Sequence, residues 1–92
     1  MKIETKCLHS GYEPKNGEPC VMPIVQSTTY KFDSCDHVAA LFDKPTEYIY
    51  SRMANPTCDA VEKKIADLEG GVASMLTSSG QAASLLSILN LC

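Results

Sequence analysis

The 92-residue chain has the length and composition of one small globular domain, with 45% hydrophobic and 21% charged residues. These values exclude a largely disordered chain. The formal net charge of −3 supplies no basic surface, so neither nucleic acid nor an anionic membrane is predicted as a partner. No stretch approaches the ~20 apolar residues that a membrane-spanning helix needs, and the N-terminus does not resemble a signal peptide.

Five cysteines are spread through the chain, at Cys7, Cys20, Cys35, Cys58 and Cys92. They form no C-x-x-C pair, so the spacing of a zinc site is absent and no metal site is predicted. An odd number of cysteines also argues against a secreted disulfide scaffold. The pattern favours free thiols, buried as small hydrophobic side chains, in a protein of the reducing cytoplasm.

The first 47 residues or so are rich in Pro, Gly, Ser and Thr and show no sustained helical period. The segment VMPIVQSTTYKF (21–32) has β propensity, but Pro23 argues against a central strand. The segment SCDHVAALF (34–42) predicts a short helix with Ser34 as its N-cap, and Pro45 prevents its continuation. This region is predicted to be an extended arm with one small helix, lying on another surface.

A longer helix is predicted directly after the arm. Asn55 is a favourable N-cap, Pro56 suits the first helical position, and Gly70 and Gly71 end the helix. The apolar stripe of this helix is predicted to comprise Ala60, Val61, Ile65 and Leu68, with Glu62, Lys63, Lys64 and Asp67 facing water.

Residues 72–92 predict the second half of a helix-strand-helix unit. VASMLTS (72–78) is typical of a short buried strand, SSG of a tight turn, and QAASLLSILNL (81–91) of a strongly apolar helix. The fold class predicted from this order is α/β. The chain ends within the apolar stretch LLSILNLC, so we expect a fragment, or a chain whose apolar face is covered by a partner.

Two features predict an anion site. The turn Ser78-Ser79-Gly80-Gln81 precedes a helix, where free backbone N–H groups and the helix dipole favour a phosphate. In a simpler interpretation these residues only cap the helix. In YSRMANPT (50–57), a guanidinium suited to bidentate phosphate binding lies two residues from a phenol. In an extended segment the two side chains would share one face, although a surface arginine beside an interfacial tyrosine remains the alternative.

The segments YIYSRMANPT (48–57) and VEKKIADLEGGVASMLTSSGQAA (61–83) resemble the Cys/Met-metabolism family of pyridoxal-phosphate enzymes. That family includes cystathionine lyases and synthases, methionine γ-lyase and O-acetylhomoserine sulfhydrylase. The resemblance extends over essentially the whole chain, because its first third also carries the family's pattern at Thr5, His9, Gly11, Pro14, Gly17, Pro23, Ile24, Gln26, Ser27, Thr28, Tyr30 and Phe32.

The resemblance implies an aspartate-aminotransferase-like fold (fold type I), with residues 1–54 as an N-terminal arm that contacts a neighbouring subunit. Residues 55–92 would begin the cofactor-binding α/β domain. In the family the Tyr and Arg of the Y-S-R block bind the cofactor phosphate of the neighbouring subunit, which implies that role for Tyr50 and Arg52. Ser79, Gly80 and Gln81 match the turn that binds the subunit's own pyridoxal 5'-phosphate. The family has Met where this chain has Gln81, and Gln is more typical of the sulfhydrylase branch.

The resemblance also implies what the chain lacks. The family's Schiff-base lysine and the carboxylate partner of the pyridine nitrogen belong to the large domain, and no lysine here matches that motif. We therefore assign no catalytic residue, treat His9 and His37 as ordinary surface or interface residues, and expect the 92 residues alone to be inactive.

The resemblance implies a homodimeric or homotetrameric enzyme acting on a small amino-acid substrate, with O-acetylhomoserine sulfhydrylase as the first expectation. Methionine γ-lyase and cystathionine γ-lyase or synthase are the alternatives. A truncated, non-catalytic interaction module or remnant is the alternative from another class.

Overall fold

The computed structural model describes all residues, 1–92, and contains four helices. These are α1 (Ile3–His9), α2 (Cys35–Asp43), α3 (Pro56–Glu69) and α4 (Gly80–Leu91). The only β pairing is an isolated antiparallel bridge between Thr29 and Tyr50. None of the helices has both the length and the apolar character needed to cross a membrane.

Three helices begin where their capping residues predict. The side-chain oxygen of Ser34 accepts a hydrogen bond from the His37 N–H at the start of α2. Asn55 caps α3 ahead of Pro56, and this helix ends at Gly70 in the left-handed conformation, with φ of 68°. The hydroxyl of Ser79 caps α4 by accepting from the Ala82 N–H. The predictions for these three helices are confirmed.

Helix α1 was not predicted, because its seven residues show no helical period and its N-cap, Lys2, makes no side-chain cap bond. The helix is stabilised by contacts with α3, the only pair of elements in extensive contact. Asp67 accepts hydrogen bonds from Lys6 Nζ at 3.1 Å and Ser10 Oγ at 2.5 Å. Lys64 Nζ donates to the Cys7 carbonyl at 3.0 Å. The arm is therefore less extended than its composition indicates, and Lys64 and Asp67 do not simply face water.

Gly11 allows the chain to leave α1 and pass closely over α3. Its φ is 88°, and a Cβ placed there would lie 2.2 Å from the Ala60 carbonyl oxygen and 3.0 Å from the Lys64 nitrogen. Both the backbone conformation and the available space therefore require glycine.

The strand predicted at 72–78 is not confirmed, because these residues belong to no strand and make no backbone–backbone hydrogen bond. A strand forms only beside a partner strand that accepts its ladder, and no other extended segment of the chain pairs its backbone with this one. Instead Glu62 holds it, since its carbonyl accepts from Ser74 Oγ at 2.5 Å and its carboxylate from the Leu76 N–H at 2.9 Å. The α/β class is therefore not visible in this chain.

The chain buries little of its apolar surface. Only Leu41 and Ala66 are buried, and the radius of gyration of 15.7 Å exceeds the roughly 12 Å of a compact domain of this length. In the predicted α3 stripe, Val61 and Ile65 stay about 40% exposed. The large apolar side chains of α4 are all exposed, namely Leu85, Leu86, Ile88, Leu89 and Leu91.

Candidate functional site

Tyr50 and Arg52 lie together, although the segment that carries them is a turn and not extended. Tyr50 pairs with Thr29 in the isolated bridge, and the chain then turns, because the N–H groups of Met53 and Ala54 both donate to the Tyr50 carbonyl at 3.0 Å. This turn brings the Arg52 Cζ to 5.0 Å from the centroid of the Tyr50 ring. The phenol and the guanidinium therefore form one unit through a cation–π contact.

The guanidinium of Arg52 has no anionic partner within the chain. The three ion pairs of the structure join Lys6 to Asp67, His37 to Glu47 and Lys63 to Asp59. Arg52 is exposed, and none of its nitrogens donates a hydrogen bond to another residue of the chain. An exposed guanidinium with all of its donors free has the chemistry to bind a phosphate with two hydrogen bonds.

The turn that carries this pair is fixed by the segment Pro23–Thr29. The Ser51 N–H donates to the Thr28 carbonyl at 2.9 Å, and the Ser51 hydroxyl donates to the Ser27 carbonyl. Near the start of α3, Thr57 Oγ1 donates to the Pro23 carbonyl at 2.8 Å and accepts from the Val25 N–H at 2.9 Å. The β-prone segment of the arm thus supports the Tyr50–Arg52 turn.

The N-terminus of α4 offers free donors. The Ser79 oxygen accepts from the Ala82 N–H at 3.1 Å and the Ser79 carbonyl accepts from the Ala83 N–H at 3.1 Å, whereas the amides of Gly80 and Gln81 donate to no atom of the chain. All three residues are exposed. Two free amides at the positive end of a twelve-residue helix, beside a hydroxyl that still has its proton to donate, fit a phosphate.

A Cβ built on Gly80 would meet no atom within 4 Å, and its φ is not positive. Neither the backbone nor the packing of this chain therefore requires a glycine there. The open space in front of α4 is available to a ligand.

The two groups of candidate phosphate ligands are not in contact with each other. No hydrogen bond, ion pair or ring contact joins Tyr50 or Arg52 to Ser79, Gly80 or Gln81. Helix α3, which follows the first group, and helix α4, which begins within the second, also share no extensive contact. The two groups therefore lie apart, with Tyr50 half-buried and Arg52, Ser79, Gly80 and Gln81 exposed.

A tyrosine–carboxylate–lysine cluster beside the pair was missed by sequence reasoning. Tyr48 Oη donates to Asp59 Oδ2 at 2.9 Å, and Lys63 Nζ lies 2.7 Å from the same oxygen. Burial and the hydrogen bond to Asp59 raise the pKa of Tyr48 to about 12. Burial alone would raise the pKa of Asp59, but the hydrogen bonds from Lys63 and Tyr48 lower it overall. Only the Asp59–Lys63 spacing of four residues could have indicated the cluster.

The remaining candidates form no second site. His37 is exposed and pairs with Glu47 at 3.2 Å, and His9 lines a cavity of about 220 Å³ between α1 and α3. No three His, Cys, Asp or Glu side chains are grouped so that they could hold a metal ion. All five cysteines are free, but all are exposed, so the expectation of buried thiols is wrong. None was predicted to react.

Comparison with known proteins gives the family. The sequence profile described as "Cys/Met metabolism PLP-dependent enzyme" matches residues 4–92. The chain belongs to this family of enzymes that depend on pyridoxal 5'-phosphate (PLP), as the resemblance implied.

Curated relatives include an "O-acetyl-L-homoserine sulfhydrylase" of Leptospira meyeri, 46% identical over 99% of this chain and 21% of the relative. A second, "O-acetyl-L-homoserine sulfhydrylase 1" of Thermus thermophilus, is 47% identical over 99% of this chain and 22% of the relative. A "Homocysteine/cysteine synthase" of Kluyveromyces lactis is 46% identical over 97% of this chain and 21% of the relative. The chain therefore spans about a fifth of the length of these relatives.

A solved structure has the same fold over this region. The crystal structure of a putative O-acetylhomoserine (thiol)-lyase from Campylobacter jejuni matches with a TM-score of 0.84 and 35% identity. The match covers 98% of this chain and 22% of that protein, which carries N'-pyridoxyl-lysine-5'-monophosphate. The chain therefore has the fold of the corresponding part of a fold type I PLP enzyme.

Proposed function

We propose that residues 1–92 form the N-terminal part of an O-acetylhomoserine sulfhydrylase. The full enzyme would replace the acetate on the γ-carbon of O-acetylhomoserine with sulfide, which gives homocysteine and releases acetate. The identity of 46–47% to two sulfhydrylases, along 99% of this chain, carries the proposal. Gln81 in the helix-initiating turn agrees with it, because the resemblance associates Gln at this position with that branch.

In the reaction, residues 1–92 would bind the phosphate of PLP. The free amides of Gly80 and Gln81, with the Ser79 hydroxyl, would hold the phosphate of the subunit's own cofactor. Tyr50 and Arg52 would bind the phosphate held by a neighbouring subunit. The separation of the two groups and the lack of any partner for Arg52 support this division. When bound, PLP supplies an electron sink for carbanion chemistry, and the chain positions it.

The proposal includes a homodimeric or homotetrameric assembly, with residues 1–54 as the arm that contacts the neighbour and 55–92 as the start of an α/β cofactor domain. An open groove of about 790 Å³ lies between residues 73–77 and α4, and its lining includes Met75, Leu86 and Leu89. These uncovered apolar side chains support an α/β domain that is only begun by residues 55–92. Residues 72–78, whose backbone has no backbone partner, would pair with strands outside this chain. We place the enzyme in the cytoplasm, where the five exposed thiols stay reduced.

The test is an assay of the protein expressed from its complete reading frame. With PLP, O-acetylhomoserine and sulfide, we expect homocysteine and acetate in equal amounts, and no amino-acid product from cystathionine. Release of a keto acid and ammonia from methionine or cystathionine, without homocysteine formation, would instead identify a lyase. A protein that neither binds PLP nor turns over any of these substrates would contradict the proposal and favour a non-catalytic remnant.

A further inference from the structure

The Asn55 side chain uses every hydrogen bond it can make. Its Oδ1 accepts from the Thr57 N–H at 2.9 Å and the Cys58 N–H at 3.4 Å, which caps α3. Its Nδ2 donates to the Val25 carbonyl at 3.1 Å and to Ser51 Oγ at 3.1 Å. An amide has two donors and an acceptor oxygen with two lone pairs, so no capacity is left. One half of the amide caps the helix, and the other half joins the helix to two different segments.

Ser51 receives one of these bonds and lies between Tyr50 and Arg52 in the chain. Its hydroxyl accepts from Asn55 and donates to the Ser27 carbonyl, and its N–H donates to the Thr28 carbonyl at 2.9 Å. The residue between the two phosphate ligands is therefore fixed on three sides. Asn55 is the only side chain that connects this turn directly to the start of α3.

Capping alone does not need an amide. Ser34 and Ser79 cap α2 and α4 in this same chain through a single hydroxyl oxygen. The Nδ2 bonds of Asn55 must therefore be explained by something other than the start of α3. They couple a rigid helix to a turn whose Arg52 side chain is exposed and makes no hydrogen bond of its own.

We infer that Asn55 is a positioning residue, which through Ser51 holds the Tyr50–Arg52 pair in the geometry that binds phosphate; this inference rests on the proposed function. An arginine held in place binds a phosphate with less loss of conformational freedom than a mobile one. Asn55 does not touch the phosphate itself. Asn55 instead increases the preference of the site for a phosphorylated ligand, PLP, over the unphosphorylated pyridoxal.

The test compares Asn55→Ser with the unchanged protein, both expressed from the complete reading frame. A serine keeps an acceptor for the α3 cap and adds no charge, but it removes the Nδ2 donor. The readout is the ratio of the dissociation constants for pyridoxal and for PLP, measured by equilibrium binding. A defect that only loosens the fold weakens both ligands alike and leaves this ratio unchanged. Loss of one charge-assisted bond to the phosphate lowers it by about tenfold.

Two further variants keep the result decisive. Ser34→Ala removes the cap of α2, so we expect lower stability and an unchanged ratio. Ser51→Ala leaves the Asn55 cap intact but removes the atom through which it acts, so we expect a lower ratio even if Asn55→Ser does not fold. An unchanged ratio in Asn55→Ser would overturn the inference, and if that variant does not fold, an unchanged ratio in Ser51→Ala would do so. In either case, PLP binding by the unchanged protein would still support the proposed function. Absence of PLP binding by the unchanged protein would instead overturn the proposed function.

Discussion

Gly80 leaves open space at the N-terminus of α4. Its φ is ordinary and its surroundings are open, so a side chain there costs the fold little. The position therefore tests the phosphate that we propose in front of α4.

We predict that Gly80→Asp weakens PLP binding by more than about tenfold, since two like charges ~4 Å apart repel by about 4 kcal/mol at an effective dielectric constant near 20. The same carboxylate at a helix N-terminus favours α4, so helicity by circular dichroism should not fall. Gly80→Asn is the matched neutral control and should bind several-fold more tightly than the aspartate variant. Equal affinities of the two variants would show that the phosphate does not lie at this helix.

Tyr48 gives a prediction about pH. Burial and the hydrogen bond to Asp59 raise its pKa from 10.0 to about 12, so the folded state favours the neutral phenol. Its stabilising contribution is therefore complete below pH 10 and is lost as the pH rises towards about 12.

The measurement is the ultraviolet titration of tyrosinate, with the curve of Tyr48→Phe subtracted from that of the unchanged protein. We expect the difference to be a single transition well above pH 10. A difference centred at the ordinary tyrosine pKa would show that the bond to Asp59 is not maintained in solution.

At the scale of elements, the contact between α1 and α3 depends on Gly11. We predict that Gly11→Ala lowers the free energy of unfolding by roughly 2–4 kcal/mol, because a methyl group would overlap the Ala60 carbonyl and the positive φ would be strained. Gly17 is the matched control, since its φ is 84° but nothing lies within 4 Å of its Cβ position. Gly17→Ala should therefore cost only about 1 kcal/mol. The midpoints of urea unfolding provide the comparison, and equal losses would contradict the close approach.

The elements that the sequence predicts correctly are those whose signals are local. Ser34, Asn55 and Ser79 cap their own helices, and Gly70 ends α3, so a few neighbouring residues suffice. Helix α1 escaped prediction because Asp67 and Lys64, more than fifty residues away, stabilise it. The 72–78 strand was predicted from propensity, but a strand is completed only by a non-local partner.

In the candidate site, too, some features were recognised from the sequence and others were not. Tyr50, Arg52 and the α4 turn were recognised from short motifs. The Asn55–Ser51 link and the Tyr48–Asp59 bond were not, because both depend on the turn that the chain makes between residue 50 and the start of α3, which no short motif specifies.

At the scale of the whole molecule, the proposed division of the site between subunits predicts complementation. Arg52→Ala and Gly80→Asp, each in the complete protein, should each reduce PLP-dependent activity severely. If Arg52 serves the neighbouring subunit, a mixed dimer of the two variants has one site with both groups intact. We expect unfolding and refolding of an equal mixture to restore about a quarter of the unchanged activity, since half of the dimers are mixed and each has one intact site of two. Absence of recovery, with mixed dimers demonstrated by mass spectrometry, would place both groups in one subunit's site.

The proposed division of the phosphate site between subunits, which is consistent with the separation of the Tyr50–Arg52 unit from the α4 terminus, would have a thermodynamic consequence. When two subunits each supply part of one phosphate site, cofactor binding and subunit association share a single coupling free energy. Dilution then promotes release of the cofactor, and a rise in free PLP promotes assembly. If Arg52 binds the cofactor phosphate of a neighbouring subunit, as proposed, the concentration of free PLP would influence the quaternary structure of the enzyme.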